Sequence, residues 1–183
     1  MSTGVEQKLT PFDVLAAYER QSLAHVAGVP ERVETGVVWR GIGFRIGTRH
    51  LLSSIAEVNE ILSLPELTPV PGTRPWLLGI GNVRGNLLPV VDLRGFIEGD
   101  LTSLTDNSRM LVVRDRADGC GLLIDEVLGQ RSFSEEERGR AIGEDDPRYA
   151  RFIGERLQLG GVDWGLFSMA ALLRSTDFQQ AAA

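Results

Sequence analysis

Two glycine-rich segments have the residue types of a loop that binds nucleotide phosphates. Gly41–Gly47 reads GIGFRIG and Gly79–Gly85 reads GIGNVRG, so both follow the pattern G-x-G-x-x-x-G. The dinucleotide-binding loop has the pattern G-x-G-x-x-G and lies between a strand and a helix whose first amides bind the pyrophosphate. Both segments here are longer, and each is followed by a turn and another predicted strand. We therefore predict no nucleotide site and no cofactor.

Histidine, cysteine and acidic residues do not form a catalytic or metal-binding pattern in the sequence. His25 and His50 are the only histidines and lie far apart, and Cys120 is the only cysteine. A zinc site needs several such ligands at short spacing, and a reactive thiol needs a cationic neighbour, which Cys120 lacks. The acidic runs Glu135–Glu137 and Asp145–Asp146 are typical of solvated surface. We predict a protein that is not an enzyme and holds no metal.

The remaining polar candidates lie in one apolar segment, Pro75–Phe96, which reads PWLLGIGNVRGNLLPVVDLRGF. It predicts a hairpin of two strands, Leu77–Arg84 and Leu87–Asp92, joined by a turn at Gly85-Asn86. Because both strands are nearly continuous in apolar residues, we expect both faces to be covered. A buried polar side chain needs a partner. The three polar side chains of the hairpin should therefore pair internally or face another protein; they are Asn82, Arg84 and Asp92.

The elements that would position these residues are short strands joined by tight turns. The sequence predicts about nine strands, and such a pattern favours an antiparallel barrel or sandwich, since parallel crossovers need a dozen or more residues. Cys120–Leu128 is predicted as one long strand, and Phe133–Tyr149 as a mobile loop. The capping box Ser54–Glu57 predicts a short helix that carries Val58, Glu60, Ile61 and Leu62. A second short helix, Met169–Arg174, is predicted after Ser168.

Composition and charge limit the remaining function classes. The chain has 183 residues, 43% hydrophobic content and a net charge of −6, which fits one folded domain and argues against a nucleic-acid partner. No apolar run approaches the ~20 residues of a membrane helix, and no signal peptide is visible. With a single cysteine, these observations predict a cytoplasmic protein without membrane insertion.

We divide the chain into three regions. Residues 1–36 form an N-terminal extension that contains one helix from Pro11, with an apolar stripe at Phe12, Leu15 and Val26 that should pack on the domain or on a partner. Residues 37–175 form the domain. Residues 176–183 form a flexible tail.

The central hairpin resembles the signature of the CheW-like domain family, usually written G-V-x-N-L-R-G-x-x-x-P-V-x-D-L-R. Val83 stands in place of the usual Leu. The matching positions are Gly79, Asn82, Arg84, Gly85, Pro89, Val90, Asp92, Leu93 and Arg94. The resemblance runs from Trp39 to about Leu173 and implies a mainly β fold of two small five-stranded antiparallel barrels, SH3-like, that share a core. It also implies a non-enzymatic adaptor that couples a methyl-accepting chemoreceptor to a CheA-like histidine kinase.

The N-terminal extension, the segment WRGIGFRIG and the acidic loop near the C-terminus are similar to the PilI-type branch of the family, which serves the pilus chemosensory system of twitching motility. The alternatives are an adaptor of flagellar chemotaxis and a regulatory fragment of a kinase. An enzyme or ligand-binding protein built on a small β-barrel is the alternative of another class. It would need polar residues lining a cavity, and the sequence does not indicate such a set.

The resemblance also implies which residues contact partners. Glu60 and Arg84 match a Glu and an Arg at the receptor-binding surface of the family, and the resemblance favours that role over the alternative of an ordinary exposed ion pair. We expect them to flank an apolar trough that a receptor helix fills. The expected receptor-binding residues are Val58, Glu60, Gly79, Ile80, Asn82 and Arg84. The expected kinase-binding residues are Leu122, Asp125, Glu126 and Val127.

Overall fold

The computed structural model describes residues 11–24, 37–115, 118–134, 137 and 146–181. The chain divides into two units, Met1–Thr35 and Gly36–Ala183. In the first unit, helix α1 runs over Pro11–Ala24, which confirms the predicted helix that begins at Pro11. Val26 and the first ten residues lie outside the described part of the chain. The packing of the stripe formed by Phe12 and Leu15 stays a prediction.

The second unit consists mainly of strands. Its strands are β1 Val37–Ile46, β2 Arg49–Ser54, β3 Val58–Leu62, β4 Leu67–Thr68, β5 Leu77–Val83, β6 Asn86–Asp92, β7 Arg109–Asp115, β8 Asp118–Ile124, β9 Glu126–Ser134, β10 Ile153–Leu159 and β11 Val162–Phe167. Its helices are α2 Leu93–Glu98, α3 Met169–Arg174 and α4 Thr176–Gln179. The predicted mainly β fold with short helices is confirmed.

The strands form two sheets. Sheet A has five strands in the order β10-β11-β2-β1-β9, and sheet B has six strands in the order β3-β7-β8-β6-β5-β4. The chain passes from sheet A to sheet B at residues 55–57 and returns at Asp125. The sheets are not purely antiparallel as predicted, because β11 pairs with β2 and β6 pairs with β8 in parallel. Long connections make this possible: all of sheet B lies between β2 and β11, and α2 and β7 lie between β6 and β8.

Each sheet curls around a core of its own, and the two sheets share a third. The cluster in sheet A joins Leu52, Phe133, Leu157 and Trp164, and it includes side chains from both edge strands, β9 and β10. The cluster in sheet B joins Val83, Leu88, Val90, Met110 and Val112. Between the sheets, the shared cluster includes Phe44, Leu51, Leu111 and Leu122. The arrangement of two sheets on a common core agrees with the prediction, although sheet B has a sixth strand.

The predicted helix after the capping box Ser54–Glu57 is wrong. Residues 55–57 form a turn, in which the amide of Glu57 donates to the carbonyl of Ser54 over 2.9 Å, and β3 follows. The Glu57 carboxylate instead accepts hydrogen bonds from the Ala170 amide (3.1 Å) and the Ser53 hydroxyl (2.9 Å). Ala170 lies in the first turn of α3, so Glu57 caps a helix that is distant in sequence. Ser168 caps the same helix through the Ala171 amide, as predicted.

Two other segments also differ from the prediction. The long strand predicted over Cys120–Leu128 is broken by a bend at Asp125, which sends β8 into sheet B and β9 into sheet A. The predicted flexible tail begins with α4. Its Phe178 ring stacks on Trp76 at a centroid distance of 6.0 Å, and the Ala181 carbonyl accepts a hydrogen bond from the Arg74 amide (2.8 Å). The aromatic contacts of the partly buried Phe178 and this backbone hydrogen bond hold the segment against the domain.

Candidate functional site

The turn of the central hairpin lies at Arg84-Gly85, one residue earlier than predicted. Val83 pairs with Asn86 across the turn, and the φ angles of Arg84 and Gly85 are 51° and 87°. Two positive φ angles are typical of the type I′ turn, which suits glycine and asparagine better than arginine. The Asn82 side chain supports the turn by accepting a hydrogen bond from the Gly85 amide (2.8 Å). Arg84 is thus held at the tip of a well-ordered hairpin.

The two hairpin strands each have a buried and an exposed face, so the prediction that both faces are covered is wrong. Residues alternate along β5 and β6, with Gly81, Val83, Leu88 and Val90 buried and Ile80, Asn82, Leu87 and Pro89 exposed. Ile80 pairs with Pro89 and Asn82 pairs with Leu87. Leu87 is 71% exposed, more than any other large apolar side chain among the described residues of the second unit.

A shallow groove of about 470 Å³ runs along this outer face and is lined by Glu66, Leu67, Thr68, Ile80, Asn82 and Leu87. We name this face, with Pro89 and the tip residue Arg84, the hairpin face. A contiguous exposed apolar surface on a folded domain often marks an interaction site. Sequence reasoning included Ile80, Asn82 and Arg84 but missed Leu87, because an apolar residue in an apolar run carries no sign of the face it occupies.

Gly79, one of the expected receptor-binding residues, has no open space beside its Cα atom, because this chain already fills it. A Cβ atom added to Gly79 would lie 2.5 Å from the carbonyl oxygen of Thr68 in β4, and the φ of Gly79 is 147°. At Gly81 an added Cβ would lie 2.9 Å from Pro65 and 3.0 Å from Leu67. Both glycines therefore permit the close packing of β4 on β5.

Glu60 and Arg84 form an ion pair, and their role in receptor binding stays a prediction. Glu60 pairs with Val112 across β3 and β7, and Val112 belongs to the core of sheet B, so Glu60 faces the same side. The Arg84 Nη2 atom lies 3.0 Å from Glu60 Oε2. That oxygen is buried and has no hydrogen bond of good geometry within the described residues, whereas the Arg84 side chain is 74% exposed. The ion pair joins the hairpin tip to the opposite edge strand of sheet B.

Val58 lies on the same strand as Glu60 but packs elsewhere. It pairs with Val113 and packs, partly buried, against the core that the two sheets share. Asn59 is the extra residue of a bulge between Val58 and Glu60. The structure thus brings Glu60 to Arg84 and Ile80 to Asn82, while Val58 contributes to the shared core.

Asp92, the third polar residue of the hairpin, is satisfied within the fold. Only 1% of it is exposed, and its carboxylate accepts from the Gly95 amide (2.9 Å), the Thr102 amide (2.7 Å) and the Thr102 hydroxyl (2.9 Å). It caps α2 and holds the loop after that helix against the domain. Of the two roles predicted for the hairpin's polar residues, Asp92 takes the internal one.

The expected kinase-binding residues lie at the bend between β8 and β9. Leu122 is completely buried in the shared core, and Val127 packs partly against it. Asp125 accepts a hydrogen bond from the Gly47 amide (2.7 Å), and Glu126 accepts one from Arg45 Nε (2.6 Å). Only the polar rim of this bend is therefore accessible to a partner without rearrangement.

A second polar network lies on α2 and the turn before β10. Glu98 accepts hydrogen bonds from Arg94 Nε (3.0 Å) and from the hydroxyl of the buried Tyr149 (2.8 Å). Burial and the Glu98 carboxylate raise the pKa of Tyr149 well above its usual value. Hydrogen bonds from Arg148 lower the pKa of Asp146 to about 2. The sequence assigned Asp146 and Tyr149 to a mobile loop, but residues 146–150 are ordered; residues 138–145 lie outside the described ranges.

Potential ligands for a metal do not converge within the described residues. No group of three histidine, cysteine, aspartate or glutamate side chains there is arranged to hold an ion. Burial raises the pKa of the Cys120 thiol to about 12, so that cysteine stays neutral and unreactive.

The comparisons with known proteins agree with this geometry. Residues 20–177 match the family model described as the CheW-like domain. The chain belongs to the CheW-like domain family. The match includes the whole central hairpin, and the exposed Arg84 and the buried Asp92 are both positions of the signature that the hairpin resembles.

Individual relatives place the chain within the family. It is 40% identical over 124 residues to Protein PilI of Pseudomonas aeruginosa, a match that covers 68% of this chain and 70% of PilI. It is 31% identical over 86 residues to Chemotaxis protein CheW of Bacillus subtilis, covering 47% of this chain and 55% of that protein. The match thus covers only about half of the B. subtilis protein.

A solved structure supports the fold. The scaffolding protein TtCheW from Thermoanaerobacter tengcongensis superimposes with a TM-score of 0.64 at 19% identity, covering 76% of this chain and 94% of that protein. At this identity the likeness establishes the CheW-like fold. No helix within the described ranges has the length and apolar character needed to cross a bilayer.

Proposed function

We propose that the protein is an adaptor without catalytic activity of its own, which couples a methyl-accepting chemoreceptor to a CheA-like histidine kinase in the cytoplasm and serves the control of type IV pilus twitching motility. Membership of the CheW-like family supports the adaptor role. The 40% identity with PilI, compared with 31% for the chemotaxis protein of B. subtilis, favours the pilus pathway.

The hairpin face is the proposed receptor-binding surface, and it is the observation that carries the proposal. Its apolar residues Ile80 and Leu87 would supply binding free energy by leaving water. The exposed guanidinium of Arg84 at its end would orient the receptor, since charges at the rim of an interface act mainly on rate and specificity.

A helix suits the hairpin face better than an added strand. The edge strand β4 has only the residues Leu67–Thr68, with Pro65 and Pro69 close on either side. Proline cannot donate to a ladder, so strand addition at this edge would form few hydrogen bonds. A helix could instead place apolar side chains along the groove beside Ile80 and Leu87.

The bend between β8 and β9 is the proposed kinase-binding surface. The polar side chains of Asp125 and Glu126 lie at this bend, and Arg45 bridges them, with distances of 3.9 and 2.6 Å. Leu122 and Val127, which pack in the shared core, would hold the bend in position and would not contact the kinase directly. Glu126→Arg would place a second positive charge beside Arg45 and disturb the bend itself. Glu126→Gln is therefore the cleaner probe of kinase affinity.

The experiment is a reconstitution of the kinase, a receptor and this protein, scored by receptor-dependent kinase activity. Leu87→Asp should reduce coupling at least tenfold without a change in melting temperature, because the Leu87 side chain is exposed. Leu104→Asp is the matched control, since Leu104 is a similarly exposed leucine (62%) in the loop after α2. Full coupling by a folded Leu87→Asp protein would contradict the proposed surface.

The pathway needs a separate test in the native host. Deletion of the protein should impair twitching and leave swimming intact, and wild-type protein should restore twitching. The alternative role in flagellar chemotaxis predicts the opposite pair of phenotypes.

A further inference from the structure

A cavity of about 420 Å³ lies where the C-terminal segment packs over one end of sheet B. This volume is within the usual range of small-molecule sites, about 300–1,000 Å³. The cavity shares Pro89 with the hairpin face, but its other lining residues belong neither to that face nor to the bend at Asp125. Its apolar wall is formed by Trp76, Leu77, Val91, Cys120, Leu173 and Phe178.

The wall of this cavity is held in place by aromatic packing. Trp76 stacks on Phe178 and meets Phe96 edge to face at a centroid distance of 5.2 Å. The hydrogen bond from the Arg74 amide to the Ala181 carbonyl fixes the end of the C-terminal segment. Cys120, with its raised pKa, presents an uncharged thiol. The cavity is therefore preformed and apolar.

One charged side chain lines the cavity. Arg174, the last residue of α3, is exposed, and its guanidinium forms no ion pair or hydrogen bond with the described residues. A cation at the C-terminal end of a helix is also stabilised by the helix dipole. This stabilisation explains why an arginine is favourable there, but it does not explain the cavity or its aromatic wall. By contrast, the nearby Arg151 is neutralised by Asp177 at 2.6 Å.

We propose that this cavity binds a small amphiphilic carboxylate, with its apolar part against Trp76 and Phe178 and its carboxylate on Arg174. An apolar space bounded by a single unpaired guanidinium is complementary in shape and charge to such a molecule. A partner helix fits less well, because the C-terminal segment already covers one side of the cavity. Apart from Pro89, the site shares no residue with the receptor and kinase surfaces proposed above.

Calorimetric titration of the full chain with octanoate, octanol and octylamine tests this proposal. Octanoate should bind with one site per chain and at least tenfold more tightly than octylamine, because only octanoate has a charge that Arg174 attracts. Arg174→Gln should weaken octanoate about tenfold and leave octanol unchanged. Arg151→Gln is the matched control and should bind all three probes like the wild type.

Fluorescence gives a second measurement at the same site. Octanoate should change the tryptophan emission of the wild type, and the change should be absent in Trp76→Phe while calorimetric binding persists. Thermal unfolding of each variant checks that it is folded. Lack of saturable octanoate binding by the wild type, or equal octanoate affinity in a folded Arg174→Gln protein, would overturn the proposal.

Discussion

Replacing Arg84 by three different residues separates its two roles in the hairpin. Arg84→Ala removes the guanidinium that faces the buried oxygen of Glu60 but keeps a residue with a Cβ at a φ of 51°. Arg84→Gly removes the same guanidinium and also the strain of the positive φ. Arg84→Asn lies between them, because asparagine tolerates this conformation. We expect the order of stability Gly, then Asn, then Ala.

The magnitudes follow from exposure and geometry. An exposed ion pair contributes about 0.2–1 kcal/mol, and a buried oxygen left without a partner costs about 1–3 kcal/mol. Because Arg84 is 74% exposed, water can replace much of its interaction, so we expect Arg84→Ala to lose about 1 kcal/mol. Glycine should regain about 1 kcal/mol relative to alanine at this φ. Arg84→Gly should therefore be about as stable as the wild type.

Urea denaturation followed by tryptophan fluorescence and by circular dichroism is the assay, with coincident transitions as the check of two-state unfolding. A double-mutant cycle with Glu60→Gln should give a coupling energy near 1 kcal/mol. A glycine variant no more stable than the alanine variant would refute the strain argument. A coupling energy below about 0.3 kcal/mol would refute the ion-pair argument.

Three further predictions concern other parts of the fold. Gly79→Ala should lower the free energy of unfolding by about 3 kcal/mol, because its Cβ would clash with backbone atoms; Gly154→Ala, which meets nothing within 4 Å, is the control and should change urea stability little. Asp146 has a pKa of about 2 in the fold against 3.8 for the free group, so its contribution is present above about pH 4 and is lost as the pH falls towards 2; the acid-unfolding curve of Arg148→Gln should lose part of this dependence, and an unchanged curve would contradict it. Cys120 should resist a disulfide thiol reagent at pH 8 in the native protein and react in urea; rapid labelling of the native protein would show that the thiol is accessible.

Most strands and the central hairpin could be predicted from sequence because their patterns are local. The turn and strand that replace the predicted helix at residues 54–62 could not, and Glu60 shows why. In β3 the partly buried residues are Val58, Glu60 and Leu62, so a charged residue interrupts what would otherwise be an alternation of apolar and polar residues. Its partner Arg84 is distant in sequence. If Glu60 is counted as a surface residue, the spacing of Val58, Ile61 and Leu62 fits a helix as well as a strand. The capping box Ser54–Glu57 also indicated a helix start that the structure does not contain.

Part of the candidate site could also be predicted from local sequence patterns. Arg84 and Asp92 were singled out because polar residues in an apolar hairpin require partners, and the structure supplies a partner for each. Leu87 was missed because its neighbours in the strand are also apolar, so the sequence does not show which of them faces solvent. The turn was misplaced because arginine is unusual at a positive φ, so the sequence pointed to Gly85-Asn86.

The order in which the two sheets receive their strands affects how the protein is made on the ribosome. All strands of sheet B are consecutive, whereas β2 must wait for its neighbour β11, which begins at Val162. At about 5–20 residues per second, the roughly one hundred residues between them take on the order of 5–20 s to be translated. During that interval sheet B can close, while the β1–β2 hairpin lacks its neighbour β11 and Phe44 lacks the Phe167 ring that it meets edge to face. A nascent chain stalled near Asp125 would contain all strands of sheet B but only the β1–β2 hairpin of sheet A. We expect chaperones to bind the chain at that hairpin.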